Sequence, residues 1–170
     1  WHNIHIHLDL IAGLPFEDLC TFRNSFNDVY ALRPQQLQLG FLKVLKGSAM
    51  ERRSLQYDLV YTGLPPYEVL STKWLSYEDI CRLKQVEEVL EIYYNSGQFA
   101  HTLAFLCGHF DTPFAMYESL AGWYEEHALF GIQSSRLKKY ETILAFGAAC
   151  IENKEQIEAY EKSRQISLLT

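Results

Sequence analysis

Apolar and polar positions alternate strictly at the start of the chain. Ile4, Ile6, Leu8, Leu10, Ala12 and Leu14 fall on one face, and His5, His7, Asp9, Ile11 and Gly13 on the other. A period of two predicts a strand with one dry face and one face that accommodates polar groups. A barrel strand has this character, its even face meeting outer helices and its odd face pointing into the lumen. A chain that opens on a core strand is expected to be part of something larger. The period then changes: Leu19, Phe22, Phe26, Val29 and Tyr30 predict an amphipathic helix over 19–31, with Asp18 as its N-cap. Pro34 disfavours helical geometry at Arg33, so the helix should stop by Leu32. Alternation returns over Gln36–Leu42, with Leu37, Leu39 and Phe41 on one face. Strand, crossover helix and strand form a βαβ unit, whose strands must be parallel. Two parallel strands cannot cover both of their faces, so the unit implies a larger α/β sheet.

Lys46-Gly47 breaks the second strand, and Ser48 with Glu51 has capping-box spacing, predicting a short helix to about Tyr57. Two short runs, 59–61 and 67–70, flank Thr62-Gly63-Leu64-Pro65-Pro66 and read as a hairpin or extended connector. From Ser76 the pattern is helical. Ser76 opens a helix carrying Ile80, Leu83, Val86, Leu90, Tyr93 and Tyr94, which ends near Asn95-Ser96-Gly97. A shorter one with Phe99, Leu103 and Leu106 closes at Gly108. Thr112-Pro113 supplies an N-cap and a first-turn proline for a third, with Phe114, Tyr117, Leu120, Ala121 and Tyr124 inward and Gly131 as its C-terminal cap. Ser135 opens a fourth, with Leu137, Tyr140, Leu144, Gly147 and Ile151, and Ile157, Tyr160 and Ile166 suggest a more exposed fifth. The expected fold is an α/β fragment followed by a mainly α-helical bundle, predominantly helical overall. Its parts are a βαβ region over 1–58, a hairpin or linker over 59–75, and a helical domain over 76–170.

Composition narrows the function. The chain has 170 residues, 48% of them hydrophobic and 14% aromatic, which is enough to fill a packed core. A formal net charge of -6 with no long basic run argues against nucleic-acid and membrane-surface binding. No apolar run approaches a membrane span, and no stretch reads as a signal peptide. Cys20, Cys81, Cys107 and Cys150 are far apart and have no zinc-knuckle or Cys-x-x-Cys spacing, so they read as buried free thiols of a cytoplasmic protein.

His5-x-His7-x-Asp9 places three metal-ligating side chains on one strand face. Active sites of barrels lie at the C-terminal ends of strands, however, and the apolar strand runs on well past His7. A metal-dependent hydrolase barrel piece is therefore the weaker reading, and a structural polar role is expected for both histidines. His101, His109 and His127 lie in helical patterns without a nucleophile at a fixed offset, and the abundant tyrosines at helical spacing read as core.

The run Asp9-Leu10-Ile11-Ala12-Gly13-Leu14-Pro15-Phe16-Glu17, followed by Thr21-Phe22, resembles the fifth-strand region of radical S-adenosylmethionine enzymes. The likeness is to members related to oxygen-independent coproporphyrinogen oxidases and to cobalamin-dependent ones. Leu37 to Met50, with Gly47-Ser48-Ala49 where a Gly-Thr-Pro-like turn is usual, resembles their sixth strand. The remainder is similar to the uncharacterised helical C-terminal domain of radical enzymes with an N-terminal cobalamin-binding domain. The resemblance implies a partial TIM-type barrel in the parent protein, with a 4Fe-4S cluster, S-adenosylmethionine and cobalamin as its cofactors.

The family's Cys-x-x-x-Cys-x-x-Cys triplet is absent here, so no cluster is expected on this chain, which should be inactive alone. Its implied role is to complete the barrel, help hold the adenine of S-adenosylmethionine and cap the barrel or substrate pocket. By the resemblance the adenine is flanked by Ile11 and Gly13, with the Leu14 exit beside them, and by Leu42 and Lys43 at the end of the second strand. Gly13 also makes mechanical sense, since a missing Cβ lets backbone approach a ligand closely. The expected partner is the rest of the parent chain; in isolation the chain is expected either to form a homodimer through the exposed strand edge or to pack its βαβ unit on the helical bundle. The competing reading is a helical interaction or scaffold module.

Overall fold

A computed structural model describes residues 4–151 and Lys162. Its contacts divide the chain into two compact units, Trp1–Glu87 and Glu88–Thr170. In the first unit, strand β1 (His7–Ala12) leads through helix α1 (Leu19–Ala31) to strand β2 (Gln36–Phe41). The two strands are parallel, with Asp9 opposite Gln38, Leu10 opposite Leu39 and Ile11 opposite Gly40. A Gln36 N–H donates to the Ile6 carbonyl at 3.2 Å, and a Leu42 N–H to the Ala12 carbonyl at 2.9 Å, so the ladder runs the full length of both strands. Helix α1 packs on β1 and buries Phe22 and Phe26, and the facing Ala12, Leu37 and Leu39 are buried too. The opposite face, with His7, Asp9, Ile11 and Gln38, is exposed. Asp18 caps α1 by accepting the Thr21 N–H at 2.8 Å, and the helix stops at Ala31 as the proline at 34 dictates.

After β2 the chain differs from the expected helix to Tyr57. Helix α2 spans only Ala49–Arg52. Ser48 accepts the Glu51 N–H at 3.1 Å, but the Glu51 carboxylate reaches back to the Gly47 N–H at 2.6 Å. Arg53 and Ser54 then bond to carbonyls three residues back, which tightens the turn, and Asp58 takes φ 48°. Strands β3 (Val60–Tyr61) and β4 (Val69–Ser71) form the antiparallel hairpin. The hairpin is more than a linker. The Val69 N–H donates to the Leu42 carbonyl at 2.9 Å, the Val44 N–H to the Tyr67 carbonyl at 2.8 Å, and Lys43 bridges Glu68. Helix α3 (Tyr77–Leu90) opens on a reciprocal pair of bonds between Ser76 and Asp79. Its Lys84 pairs with Glu68 and lies 4.5 Å over the Phe41 ring.

The boundary between the units falls within α3. In the second unit the helix continues as a π-helical turn, Glu91–Asn95, which the 3.6-residue pattern does not reveal. Helices α4 (Ala100–Cys107), α5 (Pro113–Glu126) and α6 (Arg136–Cys150) follow, and the described chain is predominantly helical. Thr112 and Ser135 cap α5 and α6 as their residue types require. Gly131 does not cap α5. The helix ends at Glu126, Ala128 takes the left-handed conformation at φ 51°, and its N–H donates to the Glu125 carbonyl at 3.0 Å. The inward stripe of α6 is Tyr140, Ile143, Phe146 and Gly147, whereas Leu137, in the first turn, is 58% exposed. The suggested fifth helix, with Ile157, Tyr160 and Ile166, lies outside the described residues.

The core of this unit is aromatic. Tyr93, Phe99 and Tyr140 pack in series at ring separations of 4.9 and 4.4 Å. Tyr93 and Tyr124 join hydroxyl to hydroxyl at 2.7 Å, and Tyr93 donates to the Lys139 carbonyl at 3.2 Å. Tyr124 must then donate to Tyr93. Burial is the main cause of the raised pKa of the Tyr124 hydroxyl. The cysteines are not the buried thiols expected: Cys20 and Cys150 are exposed, Cys81 and Cys107 are half-buried, and none of the four forms a disulfide.

Candidate functional site

The parallel ladder decides which side chains share the open face. Partners in a parallel pair point the same way, so Asp9 with Gln38 and Ile11 with Gly40 stand side by side, and Leu42 continues the row. Together with Leu10, Phe41 and Lys43 they line an open depression of about 380 Å³. That volume matches a small-molecule site. Its floor is apolar, with Ile11 46% and Leu42 8% exposed. Polar residues stand at its margins, Asp9 and Gln38 at one end and Lys43 at the other.

Of the residues singled out from sequence, Ile11, Leu42 and Lys43 meet in this depression. Gly13 and Leu14 do not line it. Gly13 is buried at φ 89°, and a Cβ there would lie 2.7 Å from Val69 Cγ1 and 3.6 Å from Leu42 Cβ. Its missing side chain is thus taken up by the hairpin. Leu14 is 38% exposed beside it. Asp9, Gln38 and Gly40 belong to the site and were not among the expected binding residues. Their alternation with Ile11 and Leu42 on the odd face of β1 and the facing positions of β2 is the signal that finds them.

The histidines at the strand's start are exposed. His7 Nε2 lies 2.9 Å from Asp9 Oδ1 on the same strand face. No group of three or more histidine, cysteine or carboxylate side chains capable of holding a metal occurs among the described residues. The four cysteines are dispersed over α1, α3, α4 and α6, so the chain's own thiols do not fit an iron–sulfur cluster. His109 and His127 bond through Nδ1 to the carbonyls of Phe105 and Trp123, each at 2.9 Å, as caps of their own helices. No helix among the described residues is long and apolar enough to cross a membrane.

Comparison with protein families gives a match over residues 55–164, well over half of the chain, to a protein of unknown function, DUF4080. The chain belongs to this family. The DUF4080 segment begins just before the hairpin, so it includes Val69, Glu68 and Lys84, which brace the depression, and all of α3 to α6. The β1 and β2 residues that line the depression precede it. No curated protein matches the chain.

Proposed function

We propose that the chain is the C-terminal part of a radical S-adenosylmethionine enzyme, in which its βαβ unit completes a partial barrel. The observation that carries this reading is the convergence of Ile11, Leu42 and Lys43 on one depression, near the C-terminal ends of two parallel strands. Barrel enzymes place their sites at those ends. The open face of β1 and β2 supports the same reading, because a parallel pair with one uncovered face requires further structure over it. In such an enzyme the cluster and S-adenosylmethionine supply a carbon radical. The thiolates for that cluster must come from elsewhere in the parent protein.

The part of this chain is to bind and orient. Ile11 and Leu42 offer an apolar wall to the adenine, and the Asp9 carboxylate and Gln38 amide accept hydrogen bonds from hydroxyl groups. The hairpin of the DUF4080 segment holds the wall in place through Val69 and the Glu68–Lys84 pair. Separated from its parent, the chain pairs the open edge of β1 with a second copy.

Two measurements test this. The reading frame upstream of the chain should encode a Cys-x-x-x-Cys-x-x-Cys triplet, and a start codon close to Trp1 would sink the proposal. Full-length protein reconstituted with a cluster should release 5′-deoxyadenosine from S-adenosylmethionine under reducing conditions. A reconstituted protein that leaves the cofactor intact would count equally against it.

A further inference from the structure

Two glycines stand at the ends of β1 and β2, and the chain accounts for only one of them. Gly13 needs its positive φ, and Val69 fills the space that a side chain would take. Gly40 has neither reason. Its φ is ordinary, and a Cβ built on it would meet nothing nearer than the Leu10 carbonyl oxygen at 3.7 Å. A glycine inside a strand weakens it, because the unfolded chain loses more freedom on folding and no side chain packs. Where conformation and packing both permit a larger residue, the remaining physical use is close approach by another body. Gly40 lies beside Ile11 in the floor of the depression, between the Asp9–Gln38 end and Lys43.

We infer that Gly40, and not Gly13, is the position over which a bound nucleoside lies closest to main chain, and that its bare backbone sets which ligands the depression admits. The inference rests on the adenosyl reading above and adds a specificity-determining residue to it. A flat heterocycle needs an unobstructed apolar floor, which Gly40, Ile11 and Leu42 provide together. The hydroxyl groups of its sugar then reach the acceptors on Asp9 and Gln38 at one margin. A branched side chain at position 40 would stand in the ligand's place without disturbing the fold.

The test uses adenosine as the probe, since it needs neither cluster nor sulfonium, and the full-length protein that contains the chain. Gly40→Val should leave the melting temperature of the protein unchanged or raised, as a β-branched residue suits a strand with room for it. It should weaken adenosine binding by about tenfold or more, the affinity equivalent of overfilling a packed site. Gly40→Ala should weaken it less while keeping the same stability. Adenosine binding within twofold of wild type in Gly40→Val overturns the inference and leaves the adenosyl reading standing. No adenosine binding by the wild-type protein overturns that reading and the inference with it. A large fall in melting temperature for Gly40→Ala would show that the glycine serves internal packing, which also overturns the inference.

Discussion

Gly13 and Val69 form a knob and hole at the exit of β1, and the pair can be tested directly. Gly13→Ala adds a methyl 2.7 Å from Val69 Cγ1 on a backbone at φ 89°, where an L-residue is strained. Steric overlap and strain together should cost roughly 2–4 kcal/mol in chemical denaturation. Adding Val69→Ala should recover the overlap part and leave the strain part, so the two effects will be non-additive. Additive losses would mean that the two side chains do not meet. Asp18 offers a pH-dependent test on the same loop. The backbone N–H of Thr21, then its hydroxyl, holds the Asp18 carboxyl below its ordinary pKa. A lowered folded-state value stabilises the protein above the unfolded pKa, and that stability is lost as pH falls through the folded value. Asp18→Ala should therefore lower the melting temperature at neutral pH, and the difference from wild type should fade well below pH about 3.9. At this scale the sequence is informative about backbone and blind to partners. The Gly-Leu-Pro turn marks Gly13 as special from local chemistry, but Val69 lies far downstream, and no local pattern says that its methyl fills the gap. Gly40 shows the reverse: a lone strand glycine carries little meaning until the space around it is known.

Helix and strand boundaries followed from periodicity wherever local chemistry decides them. Helix α1 runs over Leu19–Ala31, as the spacing of Phe22 and Phe26 and the Asp18 cap require. The parallel pairing of β1 and β2 follows from the crossover helix between them. The failures lie where tertiary contacts take over. The inward face of α6 is chosen by the aromatic packing around Tyr140, not by the nearest leucine, and just beyond the end of α5 Ala128 takes a conformation that glycine usually takes. The π-helical turn shifts the register of α3, and Tyr93 on it is fully buried. This makes Tyr93 the pivot of the hydroxyl chain from Tyr124 to the Lys139 carbonyl. Tyr124→Phe removes one bond and should cost about 1 kcal/mol. Tyr93→Phe removes both and strands the buried Tyr124 hydroxyl, so it should cost about 2–3 kcal/mol. Equal losses in equilibrium unfolding would show that Tyr93 does not join the two partners.

For the molecule as a whole, the question is what covers the strand pair. The only partner of β1 among the described residues is β2, and Ile4, Ile6 and Ile11 along the first strand's segment are all exposed. An unpaired strand edge beside exposed isoleucines is a template for pairing with another chain. In the parent protein the proposed barrel would cover it; in the isolated chain a second copy can. The net charge of -6 opposes association through general repulsion, but between extended surfaces that repulsion is screened beyond about 8 Å at physiological ionic strength. The isolated chain should therefore self-associate in a concentration-dependent way in sedimentation velocity, more strongly as salt rises. Ile6→Lys places a charge on the strand's approach, the device by which natural edges stay unpaired. It should shift the equilibrium toward single chains by about tenfold or more, since burying an unpaired ammonium costs more than that factor requires. Because Ile6 is exposed, the same substitution should leave the melting temperature of the single chain nearly unchanged. A chain that sediments as a single copy at high micromolar concentration, with or without the lysine, would mean that the edge is already satisfied, and the need for a parent barrel over this face would lose its main physical support.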